Sequence, residues 1–339
     1  MSQTKILTNY FLNDKNKERI INNNLTLEKK SNTQFSRAYL ELITKLWDKN
    51  GPKSFSPYNF MGIVDKMNPL FKRSQAGDSK GFIIFILEQL NKELKITNGN
   101  NNIDIPLNQY DRLNSHNYFF NDFNKDSSIL SQNFFGFNET TTECLYCKNI
   151  SINQGTPTLI CYSYGLFNCL IFLLEEVKNM KNNYYQMSQN NVVTIYECFI
   201  YNQKTDLFTR YNRNYCNICK QLADSKYTSR IFMSSNILIL ILNKGKNNIY
   251  NVKLDFTEKI DIIQYAIQKE KPQLIYDLYA VIISHFEESG LNAHFVASCI
   301  SLIDNRWYSY NDAFVNPIKN LQKEVIDFSI PYILFYQKV

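Results

Sequence analysis

The sequence predicts an α+β fold, and three observations support this prediction. In the first third, apolar residues recur at helical spacing, as in SRAYLELITKLW and GFIIFILEQLNKEL. From about Asn133 onward, short runs rich in β-branched and aromatic residues alternate with turn residues, as in TLICYSY, NILILIL and PYILFYQ. There is no repeat of fixed period. Helices followed by strands indicate an α+β architecture.

Candidate N-cap residues predict where the first helices begin. Ser36 is the predicted N-cap of the helix in SRAYLELITKLW, which a Gly-Pro pair ends. Ser56 is the predicted N-cap of the next helix, with Pro57 at its first position. GFIIFIL is apolar on most faces, which predicts a buried central helix.

Two later runs are harder to place from pattern alone. VVTIYECFIYN has the length and β-branched content of a strand. FNCLIFLLEEVKNM fits either a strand or a helix.

Composition narrows the class of protein. The 339 residues carry a net charge of +6 spread thinly along the chain, without the basic run of a nucleic-acid-binding arm. Apolar runs are too short for a membrane span, and the N-terminus lacks the features of a signal peptide. We therefore expect an intracellular protein, in the cytoplasm, the nucleus or both, whose eight cysteines are free thiols or metal ligands.

Two CxxC motifs, CLYC and YCNIC, are the most specific local signal. They contain the four candidate metal ligands Cys144, Cys147, Cys216 and Cys219. Each CxxC turn brings two thiolates to one side, and two turns complete the tetrahedral set that Zn²⁺ prefers. Four protein ligands leave no open position, so we expect a structural zinc joining two distant strands of one sheet. The less favoured interpretation is four ordinary buried thiols, which is how we interpret Cys161, Cys169, Cys198 and Cys299.

A second candidate site lies in AHFVASCISLIDNRWYSYND. If HFVASCI and RWYSY form a hairpin, His294 and Asn311 fall at about the same level. Asn311 would then accept a hydrogen bond from Nδ1–H so that Nε2 faces a nucleophile, and Asp312 would add negative charge. On these residues alone, a structural histidine is the favoured interpretation. His285, at the end of the preceding strand, competes for the role, whereas nothing favours His116.

Several motifs together resemble one family, the ubiquitin-specific proteases. NPLFKRSQAGDSKGFIIFILEQLNKEL is similar to the family's "NP.F…QQD..EFL.FLLD.LHEEL" segment, and FFGFNETTTECLYC is similar to its strand and first zinc knuckle. YDLYAVIISHFEESGLNAHFVASCISLIDNRWYSYNDAFV resembles its "Y.L.AVI.H.G…GHY.A…WY.FND..V" box. PYILFYQ resembles its closing strand. The resemblance runs from about Thr4 to Val339.

This resemblance implies a papain-like cysteine protease fold, whose subdomains are named after the parts of a hand. A helical thumb would cover about residues 1–130, and a β palm with inserted zinc-clasped β fingers about 131–339, with fingertips around 144–147 and 216–219. His294 matches the family's general base, Asn311 the residue that orients it, and Asp312 a supporting acid. Residues 287–293 match a loop that closes over the ubiquitin tail, and His285 precedes it. Asn292, Ala293 and Gly81 depart from the family's pattern.

The implied function is that of a cysteine-type deubiquitinase with structural zinc, acting on ubiquitin and ubiquitinated proteins. It would be a monomer that binds neither nucleic acid nor membrane. The family's cysteine box, "GL.N.GNTCY.NS.LQ.L", has no counterpart here, since MSQTKILTNYFL resembles the family segment directly after that box. We favour a truncated sequence over a true loss. The alternatives are a catalytically inactive ubiquitin-binding or scaffold protein and, less favoured, a zinc protein that binds nucleic acid.

Overall fold

The computed structural model describes residues 1–22, 33–52, 54–71, 79–97, 106–148, 159–185, 191–243, 252–268, 272–286, 293–327 and 330–339. Its earlier helices are α1 (Lys5–Leu12), α2 (Asp14–Asn22), α3 (Gln34–Leu46), α4 (Tyr58–Met67), α5 (Ser79–Leu94), α6 (Arg112–Lys125) and α7 (Ile129–Phe134). Helices α8 (Leu174–Tyr185) and α9 (Ile195–Asn202) lie among the strands. In these ranges no helix is both long enough and apolar enough to cross a membrane.

Within these ranges, the strands form one large sheet, one four-stranded sheet and three two-stranded ribbons. In chain order they are β1 (Ile96–Thr97), β2 (Asp126–Ser127), β3 (Gly136–Cys144), β4 (Ile160–Phe167), β5 (Leu170–Leu173), β6 (Val192–Thr194), β7 (Thr205–Phe208), β8 (Asn214–Cys216), β9 (Gln221–Ala223), β10 (Ser225–Met233), β11 (Ile237–Asn243), β12 (Lys253–Asp255), β13 (Lys259–Asp261), β14 (Ile275–Phe286), β15 (Ala293–Ile300), β16 (Trp307–Asn311), β17 (Phe314–Pro317) and β18 (Pro331–Lys338).

The large sheet has the order β17-β16-β15-β14-β18-β11-β5, with β13 paired to β14. We call the four-stranded sheet β4-β3-β10-β7 the finger sheet. The ribbons are β1–β2, β12–β6 and β8–β9. Helices that precede a mainly antiparallel sheet make the fold α+β, as the sequence predicts.

Strand β11 shows why the large sheet is buried on both faces. In its run ILILIL, Ile237, Ile239 and Ile241 pack into the core formed by α1, α3, α4, α5 and α7. The alternate residues Leu238 and Leu240 pack into a second core with α8 and α9. Successive side chains of a strand point to opposite faces, so a continuous apolar run is what a doubly covered strand requires.

The predicted helix starts are wrong by one to three residues. Helix α3 begins at Gln34, so Ser36 lies inside it. The carboxylate of Glu93 accepts hydrogen bonds from the N–H groups of Phe35 (3.3 Å) and Ser36 (2.7 Å), and thus supplies the cap from a neighbouring helix. For α4 the N-cap is Pro57 rather than Ser56.

The run VVTIYECFIYN is also corrected, because only its first residues are a strand. Strand β6 ends at Thr194, and helix α9 begins at Ile195. Thr194 and Glu197 form a reciprocal capping box, which explains why the chain turns into a helix there. The ambiguous run FNCLIFLLEEVKNM contains both elements, strand β5 and, directly after it, helix α8.

Gly136, at the start of β3, allows a close approach of two neighbours. A Cβ atom at this position would lie 2.4 Å from Phe167 Cζ and 2.7 Å from the Met233 carbonyl oxygen. We expect Gly136→Ala to lower the free energy of unfolding by about 1–3 kcal/mol, the usual effect of overpacking. Urea unfolding measures it, with Gly165→Ala as the control, because a Cβ there meets nothing within 4 Å. Equal stability of the two variants would contradict this explanation.

Candidate functional site: a histidine–asparagine pair and a four-cysteine centre

Strands β15 and β16 form the hairpin that brings the candidate base and its partner together. The register pairs Ala297 with Tyr310, and its continuation places Asn311 opposite Val296. His294 lies two residues before Val296 in β15. Its side chain is therefore on the same face of the sheet as that of Asn311, as a diagonal neighbour. His294 is exposed, at the end of the sheet. The hairpin therefore presents an accessible imidazole beside an amide.

A short hydrogen bond joins the two side chains, with His294 Nε2 2.7 Å from Asn311 Oδ1. An amide oxygen only accepts, so Nε2 carries the proton and donates. The ring nitrogens are thus used in the opposite way to the sequence prediction, in which Nδ1 faced the asparagine. The lone pair of Nδ1 is left to accept a proton from a thiol.

Asp312 contributes to the turn rather than to the hydrogen bond. It occupies the left-handed region at φ 49, between β16 and β17, and is exposed. Aspartate tolerates this conformation better than most residues. Among the described residues its side chain makes no hydrogen bond or ion pair, so any support for His294 acts through charge.

The other two histidines lie in different settings. The backbone of His285 pairs directly with His294 across β14 and β15. His116 belongs to α6, where its ring contacts those of Phe120, Tyr164 and Phe232 at centroid distances of 4.9–5.5 Å. This packing indicates a structural role for His116. Of the predicted tail loop at 287–293, residues 287–292 lie outside the described residues, and Ala293 is the first residue of β15.

The cysteines outside the four-cysteine cluster are not activated nucleophiles. Burial raises the pKa of Cys169 and of Cys299 to about 11, and the pKa of Cys198 to about 12. Burial also raises the pKa of Cys161. A reactive cysteine requires a lowered pKa because the thiolate is the nucleophile. The imidazole of His294 makes no hydrogen bond to a cysteine among the described residues, which include all eight.

The two CxxC motifs meet at one point and form a structural zinc site. Their four Sγ atoms lie within 4.8 Å of one another. The Sγ–Sγ distance is 3.9 Å for Cys144–Cys219 and 3.7 Å for Cys147–Cys216. Tetrahedral sulfur ligands about 2.3 Å from zinc lie about 3.8 Å apart, whereas a disulfide is about 2.05 Å long. The four thiols therefore fit a closed zinc site and not a pair of disulfides.

Local structure prepares this site for a metal. Cys144 ends β3, and Cys216 ends β8, so a zinc fastens the β8–β9 hairpin to the finger sheet. The prediction that it joins two strands of one sheet is therefore wrong. Burial alone would raise the pKa of Cys216, but hydrogen bonds from the N–H groups of Cys219 and Ile218, together with those from the Cys219 and Cys147 side chains, lower that pKa to about 7. A thiolate held by backbone donors is a ready ligand for zinc.

An ion pair that the sequence analysis missed connects α6 to the finger sheet. Arg112 holds Glu139 in a two-point contact of 2.7 and 3.1 Å, and the Tyr164 hydroxyl donates to Glu139 at 2.6 Å. The Glu139 side chain is 6% exposed. Its two partners are 27 and 25 residues away in sequence, so no local sequence motif predicts the contact.

Arg112→Met is expected to lower the free energy of unfolding by about 2–4 kcal/mol, because it leaves a buried carboxylate without its counter-charge. The matched control is Lys45→Met, which breaks the exposed pair Lys45–Glu41 and should cost about 0.5 kcal/mol or less. Chemical denaturation of both variants measures the difference. Similar losses in the two variants would show that the Arg112 contact is not a buried one.

An apolar cavity of about 420 Å³ separates the helices from the large sheet. Tyr39, Phe60 and Ile86 line it on the helical side, and Ala297 and Tyr310 of the β15–β16 hairpin line it on the other. The Tyr39 hydroxyl is buried without a hydrogen-bond partner among the described residues. The wall is mainly apolar, and Ser2 and Gln3 are among its lining residues.

The helices, the sheet, the zinc-clasped fingers and the His–Asn hairpin define a papain-like cysteine protease fold of the ubiquitin-specific protease type. The sequence profile described as "Ubiquitin carboxyl-terminal hydrolase" matches residues 1–336, and the chain belongs to this family.

Two relatives that the chain resembles are distant in sequence. The chain is 23% identical over 330 residues to the probable ubiquitin carboxyl-terminal hydrolase 4 of Schizosaccharomyces pombe, covering 90% of this chain and 50% of that protein. It is 22% identical over 352 residues to ubiquitin carboxyl-terminal hydrolase 2 of Bos taurus, covering 99% and 52%. The chain thus spans about half the length of these two relatives.

Two solved structures share the fold. One is a SAGA DUB module of Ubp8, Sgf11, Sus1 and Sgf73 bound to monoubiquitin, with a TM-score of 0.64 and 17% identity, covering 100% of this chain and 66% of that one. The other is the same module bound to ubiquitin aldehyde, with a TM-score of 0.63, 17% identity and coverages of 100% and 67%.

Proposed function

We propose that this chain is part of a cysteine-type deubiquitinase that hydrolyses the bond after the C-terminal glycine of ubiquitin. The observation that carries the proposal is the 2.7 Å contact of His294 Nε2 with Asn311 Oδ1 at the exposed end of β15. The family membership and the ubiquitin bound in both structural neighbours support the choice of substrate.

His294 acts as the general base and acid. Its Nδ1 removes the proton of a cysteine thiol, and the thiolate attacks the glycine carbonyl carbon. The protonated imidazole then gives its proton to the leaving lysine amine, and water releases ubiquitin from the thioester. Asn311 keeps the ring in the required tautomer through Nε2–H. Asp312 stabilises the imidazolium by its charge, and the structural zinc takes no part in this chemistry.

The nucleophile belongs to a polypeptide segment outside these 339 residues. None of the eight cysteines lies in hydrogen-bond contact with His294, and burial raises the pKa of those outside the zinc site. We place that segment in the apolar cavity beside the β15–β16 hairpin, which Tyr39 and Tyr310 line. A segment that fills the cavity would bury its apolar wall.

Ubiquitin binding tests the recognition half of this proposal. Titration of ¹⁵N-labelled ubiquitin with the zinc-loaded chain should shift resonances of the C-terminal tail in particular. Ubiquitin lacking its last four residues should bind roughly tenfold more weakly or worse, because the tail is the part that lies beside His294. Equal binding of intact and shortened ubiquitin, or no binding at all, would contradict the proposed substrate.

A further inference from the structure

Phe314 lies beside the His294–Asn311 pair, on the outer strand of the large sheet. It is the first residue of β17, which pairs with β16 at one end of the strand order. The register places Phe314 directly opposite Asn311, across the short turn between the two strands. Directly opposed side chains lie on the same face of a sheet, with Cβ atoms about 4.5–5.5 Å apart. His294, Asn311 and Phe314 therefore form a row of three side chains on one face.

The Phe314 side chain is a large apolar group that the described part of the chain leaves uncovered. It is 70% exposed, and all four residues of β17 are exposed. Single exposed apolar residues are common on protein surfaces, so exposure by itself assigns no role to this side chain. Its position in a row with the candidate general base distinguishes it from the others.

The chemistry of the bond indicates what a phenyl ring at this position contacts. The proposed reaction separates a glycine carbonyl from the Nζ atom of a lysine. Glycine has no side chain for the ring to cover, whereas the lysine side chain has an apolar stem of methylene groups. His294 must come within about 3 Å of the leaving nitrogen to protonate it. The stem therefore starts close to the imidazole, within reach of a side chain in the same row.

We propose that Phe314 is a specificity-determining residue that contacts the aliphatic stem of the acceptor lysine, on the leaving-group side of the bond. This inference rests on the proposed function, because it takes ubiquitin–lysine conjugates as the substrate. The contact removes apolar surface of both the ring and the stem from water. Conjugates through a lysine side chain are then favoured over ubiquitin derivatives whose leaving group has no stem.

Binding to the zinc-loaded 339-residue chain tests this contact without turnover. Calorimetry compares free ubiquitin, ubiquitin methylamide, and ubiquitin joined by an isopeptide bond to the lysine of a short peptide. The lysine conjugate should bind roughly five- to tenfold more tightly than the methylamide, as for burial of one or two methylene groups. Phe314→Ser should remove most of this difference and leave the affinity for the other two ligands unchanged.

Val315→Ser is the matched control for this variant. Val315 is the next residue of the same strand and is 54% exposed, but alternation places its side chain on the opposite face. Ile303→Ser, in the turn that joins β15 to β16 and 82% exposed, is a second control. Both variants should bind all three ligands as the parent chain does. Phe314→Tyr keeps the ring and should retain the preference for the lysine conjugate.

Nuclear magnetic resonance identifies the ring directly. The conjugate is prepared with ¹³C-labelled lysine methylenes, whose proton resonances should move upfield on binding because they lie over the face of an aromatic ring. Phe314→Leu keeps an apolar side chain without the ring, so this upfield shift should be lost in that variant.

Three results would overturn this inference while ubiquitin binding, and with it the proposed function, stands. One is equal affinity of the parent chain for the lysine conjugate and for ubiquitin methylamide, and another is a preference that Phe314→Ser leaves intact. The third is an equal loss of affinity for all three ligands in Phe314→Ser, which would place the ring on the ubiquitin side of the bond. Absence of binding by free ubiquitin would overturn the proposed function as well.

Discussion

Cys216→Ser is expected to abolish zinc binding and to unfold the β8–β9 hairpin while the large sheet stays folded. Four cysteines of the described residues form the site, so the loss of one removes a quarter of the coordination shell. Structural zinc binding is worth about 10–16 kcal/mol in zinc-finger peptides, more than a short ribbon gains from its own contacts. Elemental analysis should give one zinc per chain in the parent protein and none in the variant.

The matched control is Cys161→Ser. Cys161 lies beside the cluster, near the side chain of Gln109, but it is not one of the four ligands. This variant should retain its zinc, and hydrogen exchange in β8 and β9 should remain as slow as in the parent chain. Equal loss of zinc in both variants would contradict the assignment of ligands, as would a parent chain that folds stably without zinc.

His294→Ala is expected to lower kcat by about 10²–10⁴-fold once a nucleophile is present, because the thiol then loses its general base. A fusion that places the family's cysteine box before Met1 provides the thiol. Hydrolysis of a fluorogenic ubiquitin conjugate measures the rate. Asn311→Ala should reduce kcat less, and Asn311→Asp should retain more activity, because a carboxylate also accepts from Nε2–H.

Two controls make this result specific to the pair. Cysteine-to-serine replacement within the added box should abolish turnover, and Ile303→Ala should leave it unchanged. Ubiquitin binding should be similar in the parent fusion and in His294→Ala, which separates lost chemistry from lost recognition. Full activity in His294→Ala would show that another residue is the base.

Much of the fold is determined by patterns that act over short distances. The CxxC spacing alone predicts the zinc ligands, because each turn brings two thiols together before any tertiary structure forms. The run ILILIL predicts a buried strand in the same way. Because side chains alternate along the strand, Ile239 packs into one core and Leu240 into the other. Both faces are buried because helices cover each of them.

Other features depend on residues that are distant in sequence. Glu93, 57 residues away, caps helix α3, and the helix begins before the predicted N-cap, Ser36. Glu139 becomes a buried acid only because Arg112 and Tyr164 surround it. The nitrogen of His294 that faces Asn311 is likewise set by the twist and register of the hairpin. The sequence motif identifies the two residues but not the orientation of the imidazole ring.

The most direct measurement is hydrolysis of a fluorogenic ubiquitin conjugate by the 339-residue chain itself. In the proposed mechanism His294 is the base and Asn311 orients it, and among the described residues no cysteine makes a hydrogen bond to His294. We therefore expect the zinc-loaded chain to bind ubiquitin and to show no turnover above the buffer rate. Robust turnover, abolished by replacement of one of the eight cysteines, would show that the nucleophile lies within this chain and would contradict the proposed mechanism.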